Sequence, residues 1–329
     1  MAETGHNRAA LDNLYRQMRR IRVFEELALA AHKAGELPGY LHPSIGQEAV
    51  PAGVCAHLDA ADRLTSTHRG HGHALAKGSA VLPMMAELYG RATGSCGGKG
   101  GSMHIADFAA GMLGANGIVA GGIPIAVGAA QGLRLLGQSG IVACFFGDGA
   151  INRGPFLEGL NWAALYNLPV LFVCEDNTFS AFTHTRETTA GPGPAARAQA
   201  CGVAAVSVDG SDVRAVYAAA GDLIAAMRVD RTPRFLHART YRWEGHTSTD
   251  PGAYRGAAEL AAGRARDPVA RLGRELLEMG MAKDALDAID AAIVREMTQA
   301  RDAARAAPWP EPRTAFDDVQ DWGAPQWQV

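Results

Sequence analysis

The sequence has few cysteines and none of the spacings that cysteines take in metal or redox sites. Its five cysteines, in a chain of 329 residues, are separated by 27 to 48 positions, and no C-x-x-C pair occurs. This pattern argues against a zinc site built from cysteines and against a thioredoxin-like motif. An odd number of scattered cysteines is typical of reduced thiols in a cytoplasmic protein.

Long apolar runs and an excess of charge of one sign are also missing. No stretch reaches the length of about 18 apolar residues that a membrane span needs, and the polar residues 1–10 lack the apolar segment of a signal peptide. The 31 Lys and Arg nearly balance the 34 Asp and Glu. We therefore expect a cytoplasmic globular protein that binds neither nucleic acid nor membrane.

Glycine, in contrast, is plentiful. The chain has 39 glycines, and many of them lie in residues 90–122 or in Gly147-Asp148-Gly149. Residues 90–122 show no helical or strand periodicity, and a long irregular stretch inside a compact chain is usually functional.

Strands and helices alternate along the rest of the chain. Continuous apolar runs at Ile141–Phe146 and Val170–Cys174 predict two buried strands. Two further strands are predicted at Ala204–Val208 and Phe235–Arg239. Apolar residues at helical spacing predict helices at Ala9–Lys33, Ile123–Leu136 and Phe156–Tyr166, a helix capped by Ser211 that runs through Met227, and further helices beyond Asp267. This alternation predicts an α/β fold with a central parallel sheet, helices on both of its faces, and N- and C-terminal helices.

The predicted organisation has three parts. Residues 1–10 are expected to form a flexible N-terminus, and residues 308–329 a polar C-terminal tail. Residues 11–307 between them are expected to form one α/β domain, which is helical from about residue 267.

Two consecutive predicted strands are followed by residues with oxygen ligands. Asp148 comes after the first of these strands and Asn177 after the second. A right-handed crossover would make the strands parallel and bring both residues to the ligand-binding edge of the sheet. Their oxygens suit Mg²⁺, and Gly147 and Gly149 would let a phosphate approach the backbone. The pattern predicts a Mg²⁺–diphosphate site; the alternative is a tight strand–helix turn with a capping aspartate.

The sequence resembles a known family at these residues. Gly147-Asp148-Gly149, a gap of 27 residues and then Asn177 are similar to the thiamin diphosphate motif. More narrowly, the chain resembles the α subunit of the first component of 2-oxo acid dehydrogenases. The resemblance covers about residues 11–300, and its further segments are GQEA at 46–49, HRGHG at 68–72, GGKGGSMH at 97–104, GANGIV at 114–119 and YRWEGH at 241–246.

The resemblance implies a thiamin-diphosphate-binding fold and roles for the matching residues. Asp148, Asn177 and the backbone carbonyl of Phe179 would hold Mg²⁺. Arg69 and His246 would contact the diphosphate. His42 and His71 would lie at the mouth of the site near the substrate, so that the candidate catalytic residues are His42, His71 and His246. The remaining cofactor contacts would come from His68, Gly117, Val119, Gly149 and Ala150.

The resemblance also implies an oxidoreductase with a lipoyl disulfide as acceptor. The thiazolium ylide of the cofactor would add to a carbonyl of acetoin or of a 2-oxo acid, and cleavage would release acetaldehyde or CO₂. The acyl fragment would pass to a lipoyl-bearing acyltransferase. A β subunit would supply the glutamate that activates the cofactor, which implies an α₂β₂ heterotetramer and an inactive isolated α chain. Residues 66–73 and 103–107 are most similar to the acetoin branch; pyruvate dehydrogenase is the near alternative and branched-chain oxo acids are the more distant one.

The chain departs from the family pattern at a few positions, and other readings of the sequence stay open. His68 stands where tyrosine is common, Asp176 where the first of two asparagines is usual, and Glu244 where many relatives have a basic residue or histidine. A zinc site of His68, His71 and His73 is one alternative. A Rossmann-type nucleotide-binding protein is another, although no predicted strand precedes G-x-G-x-x-G. A non-catalytic scaffold is a third.

Overall fold

A parallel sheet of six strands runs through the part of the chain that the structure describes, residues 8–318 of a computed structural model. From one edge to the other, its strands are β2 (Met112–Gly114), β1 (Arg63–Thr65), β3 (Val142–Gly147), β4 (Val170–Asp176), β8 (Arg234–Arg239) and β7 (Ala204–Asp209). A separate antiparallel hairpin consists of β5 (Phe179–Ser180) and β6 (Thr183–His184).

Helices cover both faces of this sheet. They are α1 (Arg8–Lys33), α2 (Ala49–Cys55), α3 (His71–Lys77), α4 (Val81–Leu88), α5 (Gly122–Leu135), α6 (Gly154–Leu165), α7 (Pro194–Ala200), α8 (Val213–Asp230), α9 (Ala257–Ala265), α10 (Pro268–Glu278) and α11 (Lys283–Ala306). Helices α5, α6 and α7 contribute to the core on one face, and α1, α2, α3, α4, α8, α10 and α11 contribute to the core on the other. The predicted α/β fold, with its N- and C-terminal helices, is confirmed.

The central strands carry apolar residues on both faces because each side of the sheet is packed. Along β3, Ala143 and Phe145 belong to one core, whereas Cys144 and Phe146 belong to the other. Successive side chains of a strand point to opposite faces, so a strand covered on both sides needs apolar residues at every position. The adjacent parallel strand β4 follows the same rule.

The terminal helices close one side of the domain. Helix α1 packs against α10 and α11, and its buried stripe includes Leu11, Met18 and Phe24, which are all fully inaccessible. Burying each of these side chains stabilises the fold by about 1.5–3 kcal/mol. No helix among residues 8–318 combines the length and apolar character required to cross a bilayer.

Some sequence-based boundaries differ from the structure. The cap of α8 is Asp212, whose Oδ1 accepts the Arg214 and Ala215 N–H groups at 3.0 and 3.3 Å, so the assignment of this cap to Ser211 is wrong. Residues 8–10 belong to α1 and therefore not to a flexible N-terminus. The rest of that predicted segment and residues 319–329 of the predicted tail lie outside the described residues.

Candidate functional site

A cavity of about 230 Å³ opens at the carboxyl ends of β1, β3 and β4. This edge of the sheet is where ligands bind in open α/β folds. Residues from the loop before α2, from the loop between β2 and α5 and from the loop after β8 also line it. Of the residues that the sequence singled out, the following line the cavity: His42, His68, Arg69, Gly117, Val119, Asp148, Gly149, Ala150, Asn177, Phe179 and His246.

Asp148 brings a buried carboxylate to the wall of the cavity. It follows β3 directly, is only 3% exposed, and its Oδ2 atom has no hydrogen-bond partner within the described residues. A buried carboxylate oxygen without a partner is costly unless a cation or a proton satisfies it. This orphaned oxygen fits a divalent cation.

The neighbouring Asp176, in contrast, has hydrogen-bond partners for both of its oxygens. His237 Nε2 donates to Asp176 Oδ2 at 2.7 Å, and the Thr178 N–H donates to Oδ1 at 3.0 Å. Although burial raises the pKa of Asp176, these hydrogen bonds hold it below its ordinary value. Burial and the nearby Asp176 raise the pKa of Asp148 well above its ordinary value. The aspartate that departs from the family pattern is therefore paired with histidine and is not left free in the cavity.

Asn177 offers an amide whose two ends face different partners. Its Oδ1 accepts the Phe179 N–H at 3.1 Å, and its Nδ2 donates to Gln47 Oε1 at 3.0 Å. Asp148, Asn177 and Phe179 all line the cavity. Side-chain and backbone oxygens of this kind could hold Mg²⁺, which prefers hard oxygen ligands.

Different structural features account for the two glycines that flank Asp148. A Cβ at Gly147 would meet no atom closer than 4.0 Å, so its absence leaves the backbone open to the cavity. A Cβ at Gly149 would lie 2.4 Å from Ser180 Oγ, so packing against β5 excludes a side chain there. The sequence-based explanation, approach of a phosphate, is needed only for Gly147.

Two buried guanidinium groups also line the cavity. Arg69 and Arg242 are 6% and 3% exposed, and neither is within ion-pair distance of a carboxylate in residues 8–318. Arg69 donates to the carbonyls of Pro43 and His246, and Arg242 to those of Ala181 and Glu244. Burial lowers the pKa of both groups. The positive charge of Arg242 lowers the pKa of Arg69 further, and that of Arg255 has the same effect on Arg242. Unpaired buried guanidinium groups of this kind are suited to an anion such as a diphosphate.

Three histidines cluster beside these arginines. The nitrogens of His42, His68 and His246 lie within 4.8 Å of one another. Burial, together with the charge of Arg69, lowers the pKa of His42 to about 3 and that of His246 to about 4, and the pKa of His68 falls well below its ordinary value for the same reasons. All three imidazoles are therefore neutral near pH 7.

The position of the arginines decides whether this cluster favours a metal ion or an anion. The guanidinium nitrogens of Arg69 and Arg242 approach His246 Nδ1 to 3.1 and 3.4 Å. A divalent cation about 5 Å from either guanidinium would be repelled by roughly 7 kcal/mol at an effective dielectric constant of about 20. The cluster therefore favours an anion over a transition metal.

The structure places His71 elsewhere than the sequence suggested. His71 is fully buried and does not line the cavity; its Nδ1 faces Glu25 at 3.1 Å and its Nε2 faces Ser102 Oγ at 3.0 Å. The prediction that it lies at the mouth of the site is wrong, because the ring is hydrogen-bonded to a buried carboxylate of α1 inside the core. His73 is also buried, between Ser66 and Glu175. The alternative zinc site of His68, His71 and His73 does not form, since the three rings have separate partners.

Sequence reasoning missed some of the residues that line the cavity. These include Gln47, Ser66, Thr67, Met103, Glu175 and Arg242. All of these except Glu175 lie inside segments that carry the family resemblance, so the segments located them without indicating what they do. Glu244 does not line the cavity.

Comparison with known proteins agrees with this geometry. The family model described as the dehydrogenase E1 component matches residues 16–313. The chain is 43% identical over 315 residues to the α subunit of acetoin:2,6-dichlorophenolindophenol oxidoreductase from Cupriavidus necator, covering 95% of both chains. It is 48% identical over 242 residues to the subunit of the same name from Bacillus subtilis, covering 74% of this chain and 73% of that one.

A relative with another name matches at a lower identity. The pyruvate dehydrogenase E1 component subunit alpha of Porphyra purpurea is 38% identical over 305 residues, covering 90% of this chain and 89% of that one. The family match spans most of the chain, and the full-length relatives are named as α subunits. The chain belongs to the dehydrogenase E1 component family, as the α subunit of a thiamin-diphosphate-dependent oxidoreductase that works with a β subunit.

Proposed function

We propose that the enzyme cleaves acetoin and transfers the acetyl fragment to the lipoyl group of an acyltransferase. The observation that carries the choice of substrate is the higher identity to relatives named for acetoin than to relatives named for pyruvate. Residues 66–73 and 103–107, which resemble the acetoin branch, support the same choice. Met103 and Ser66 from these segments line the cavity.

In this cavity, Asp148, Asn177 and the Phe179 carbonyl would hold Mg²⁺. The unpartnered Oδ2 of buried Asp148 supports this assignment. Mg²⁺ usually keeps few protein ligands and takes the rest from phosphate and water. Thiamin diphosphate bound there would supply a carbon nucleophile for the substrate carbonyl.

Arg69, Arg242 and His246 would bind the diphosphate. Arg69 is held by two backbone carbonyls, so its guanidinium is oriented before an anion arrives. The open backbone at Gly147 would let phosphate oxygens come close. We assign further cofactor contacts to His68, Gly117, Val119, Gly149 and Ala150.

His42 is the residue that we propose faces the substrate. It is 7% exposed, and its Nδ1 atom has no hydrogen-bond partner within the described residues. A neutral imidazole in this position can donate or accept one hydrogen bond from a substrate oxygen. His71 would act behind the cavity by holding Ser102, next to Met103 in the cavity wall.

The β partner would cover an apolar surface on α5 and α6. Large side chains there are strongly exposed: Ile125 49%, Leu135 77%, Leu157 51%, Trp162 54% and Leu165 67%. Exposed apolar patches of this kind mark interaction sites. They support a partner subunit on this face, and the α₂β₂ stoichiometry is what the family resemblance implies. All five cysteines are free, which supports the proposed cytoplasmic location.

Substrate preference can be measured with the assembled enzyme. We expect kcat/KM for acetoin to exceed that for pyruvate and for 3-methyl-2-oxobutanoate by at least about tenfold, or about 1.4 kcal/mol in transition-state binding. A higher value for pyruvate would establish the second candidate, a pyruvate dehydrogenase α subunit. A higher value for the branched-chain acid would favour the third.

The requirement for the partner needs a separate assay. We expect the purified α chain, supplied with thiamin diphosphate, Mg²⁺ and acetoin, to be inactive, and activity to appear when the β chain is added. Turnover by the α chain alone would contradict the proposal.

A further inference from the structure

We propose that Gln47 is a positioning residue: it holds the Asn177 amide with its oxygen toward the metal and thereby sets the affinity of the magnesium site. This inference rests on the proposed function of Asn177 as a metal ligand. Gln47 Oε1 accepts the Asn177 Nδ2 proton at 3.0 Å, although the two residues are 130 positions apart. Gln47 is 2% exposed and Asn177 is 7% exposed.

The orientation of the amide matters because its two ends differ in chemistry. The oxygen can bind a cation, whereas the NH₂ group, a pure donor, repels it. The Phe179 N–H can only donate, so the amide atom that faces it at 3.1 Å must be Oδ1. The other end then faces Gln47. A flipped amide would set two donors against each other at Phe179 and two oxygens against each other at Gln47.

Without the Gln47 acceptor, only the Phe179 N–H would resist this flip. The lost bond lies in a buried site, where a donor without a partner is costly. The amide could then rotate to satisfy its NH₂ group elsewhere, and the metal would lose part of its ligand set.

Gln47 itself is held firmly. Its N–H donates to Ser44 O at 3.0 Å, and the Glu48 carboxylate next to it pairs with Arg22 through contacts of 2.5 and 3.0 Å. Gly46 has φ +97°, and a Cβ there would lie 2.5 Å from the Tyr241 carbonyl. The loop before α2 is therefore anchored on both sides of Gln47, which presents its side-chain carbonyl to Asn177, as residues behind metal ligands do.

The test uses the assembled α and β chains and Mn²⁺ as the probe. The dissociation constant of Mn²⁺ is measured at saturating thiamin diphosphate from the free-ion signal in electron paramagnetic resonance. Gln47→Met removes the acceptor, Gln47→Asn shortens its reach, and Gln47→Glu keeps an acceptor oxygen. We expect both Gln47→Met and Gln47→Asn to weaken Mn²⁺ binding by about 10- to 100-fold, and Gln47→Glu to bind as tightly as the wild type or more tightly.

Steady-state kinetics should also show that Gln47 acts through the affinity of the metal site. Raising the Mg²⁺ concentration should return kcat of Gln47→Asn toward the wild-type value, because the residue acts on metal affinity. Mn²⁺ binding by Gln47→Met and Gln47→Asn within about twofold of the wild type would overturn the proposal. An equal loss in Gln47→Glu would overturn it too, since the acceptor would then not be what matters.

An Asp148→Ala variant separates this inference from the proposed metal site. If Asp148→Ala abolishes Mn²⁺ binding and the Gln47 variants do not weaken it, only the positioning role fails. If Asp148→Ala binds Mn²⁺ like the wild type, the metal site is elsewhere and both proposals fail.

Discussion

The Arg69 guanidinium donates a hydrogen bond of 2.8 Å to the backbone carbonyl of His246, which lies 177 residues further along the chain. Arg69 follows β1 and His246 follows β8, so this bond joins loops from two separate strands across the cavity. The second amino group of Arg69 donates to Pro43 O, also at 2.8 Å. The positive charge is therefore fixed in place by the protein.

This arrangement predicts that lysine cannot replace Arg69. A single ammonium group cannot reach both carbonyls and an anion at once. Each lost charge-assisted hydrogen bond is worth about 1.5–3 kcal/mol, so Arg69→Lys should weaken thiamin diphosphate binding by about 10- to 100-fold. Calorimetry on the assembled enzyme measures this change. The exposed Arg274 provides a control, since Arg274→Lys should bind the cofactor normally; normal binding by Arg69→Lys would contradict the assignment.

The stability of the protein should depend on the neutral histidines of the cavity. Burial and Arg69 lower the pKa of His42 to about 3 and that of His246 to about 4, against about 6.5 in the unfolded chain. Between pH 6.5 and about 4 the unfolded state binds more protons than the folded state, so the free energy of unfolding falls as the pH falls. His42→Gln should make this slope shallower.

Thermal unfolding of the assembled enzyme at several pH values tests this dependence. Other carboxylates and histidines also titrate between pH 6.5 and about 4. The test is therefore the difference in the pH slope of stability between His42→Gln and the wild type. An identical slope in the two proteins would show that His42 is not held neutral.

The glycine-rich loop near the cavity depends on one buried carboxylate. Glu87 is fully buried and accepts four backbone N–H groups at 2.7–3.0 Å, those of Cys96, Gly98, Gly100 and Gly101. In Glu87→Gln an NH₂ group would replace one oxygen and oppose two of these donors. Amide hydrogen exchange of residues 94–104 should become about 10- to 100-fold faster.

The matched control for this loop is Glu158→Gln, which changes an exposed glutamate of α6. It should leave exchange in residues 94–104 unchanged. If Glu87→Gln also leaves that exchange unchanged, the carboxylate does not organise the loop.

The apolar surface of α5 and α6 predicts where assembly can be broken. Trp162 is 54% exposed on α6, and Trp162→Glu would put a charge into the proposed interface with the β chain. We expect light scattering to detect smaller species than the heterotetramer. Val229→Glu alters an exposed apolar residue of α8, on the opposite face of the sheet, and should assemble normally. Full assembly of Trp162→Glu would place the interface elsewhere.

Much of the fold could be predicted from the sequence because its central strands are long and buried on both faces. The apolar runs that end near Gly147 and Cys174 are typical of strands buried on both faces of a parallel sheet. Their prediction placed Asp148 and Asn177 at the same edge of that sheet. Strands β1 and β2 have only three residues each, too few for any periodicity. They escaped prediction for that reason.

The site was harder to predict wherever the partner of a residue lies far along the chain. Nothing near His71 indicates that Glu25, 46 positions earlier, draws its ring into the core. The link between Gln47 and Asn177 spans 130 positions and is equally invisible locally. Local sequence can name the residues of a site; their orientation depends on tertiary contacts.

The most direct test of the central claim, a thiamin diphosphate site that depends on Asp148, is a calorimetric titration of thiamin diphosphate into the assembled enzyme. Wild-type enzyme is compared with Asp148→Ala, with and without Mg²⁺, and with Asp222→Ala as a control on the exposed side of α8. We predict Mg²⁺-dependent binding in the wild type and the control, and its loss in Asp148→Ala. Binding that is unchanged by Asp148→Ala, or that does not need Mg²⁺, would contradict the claim.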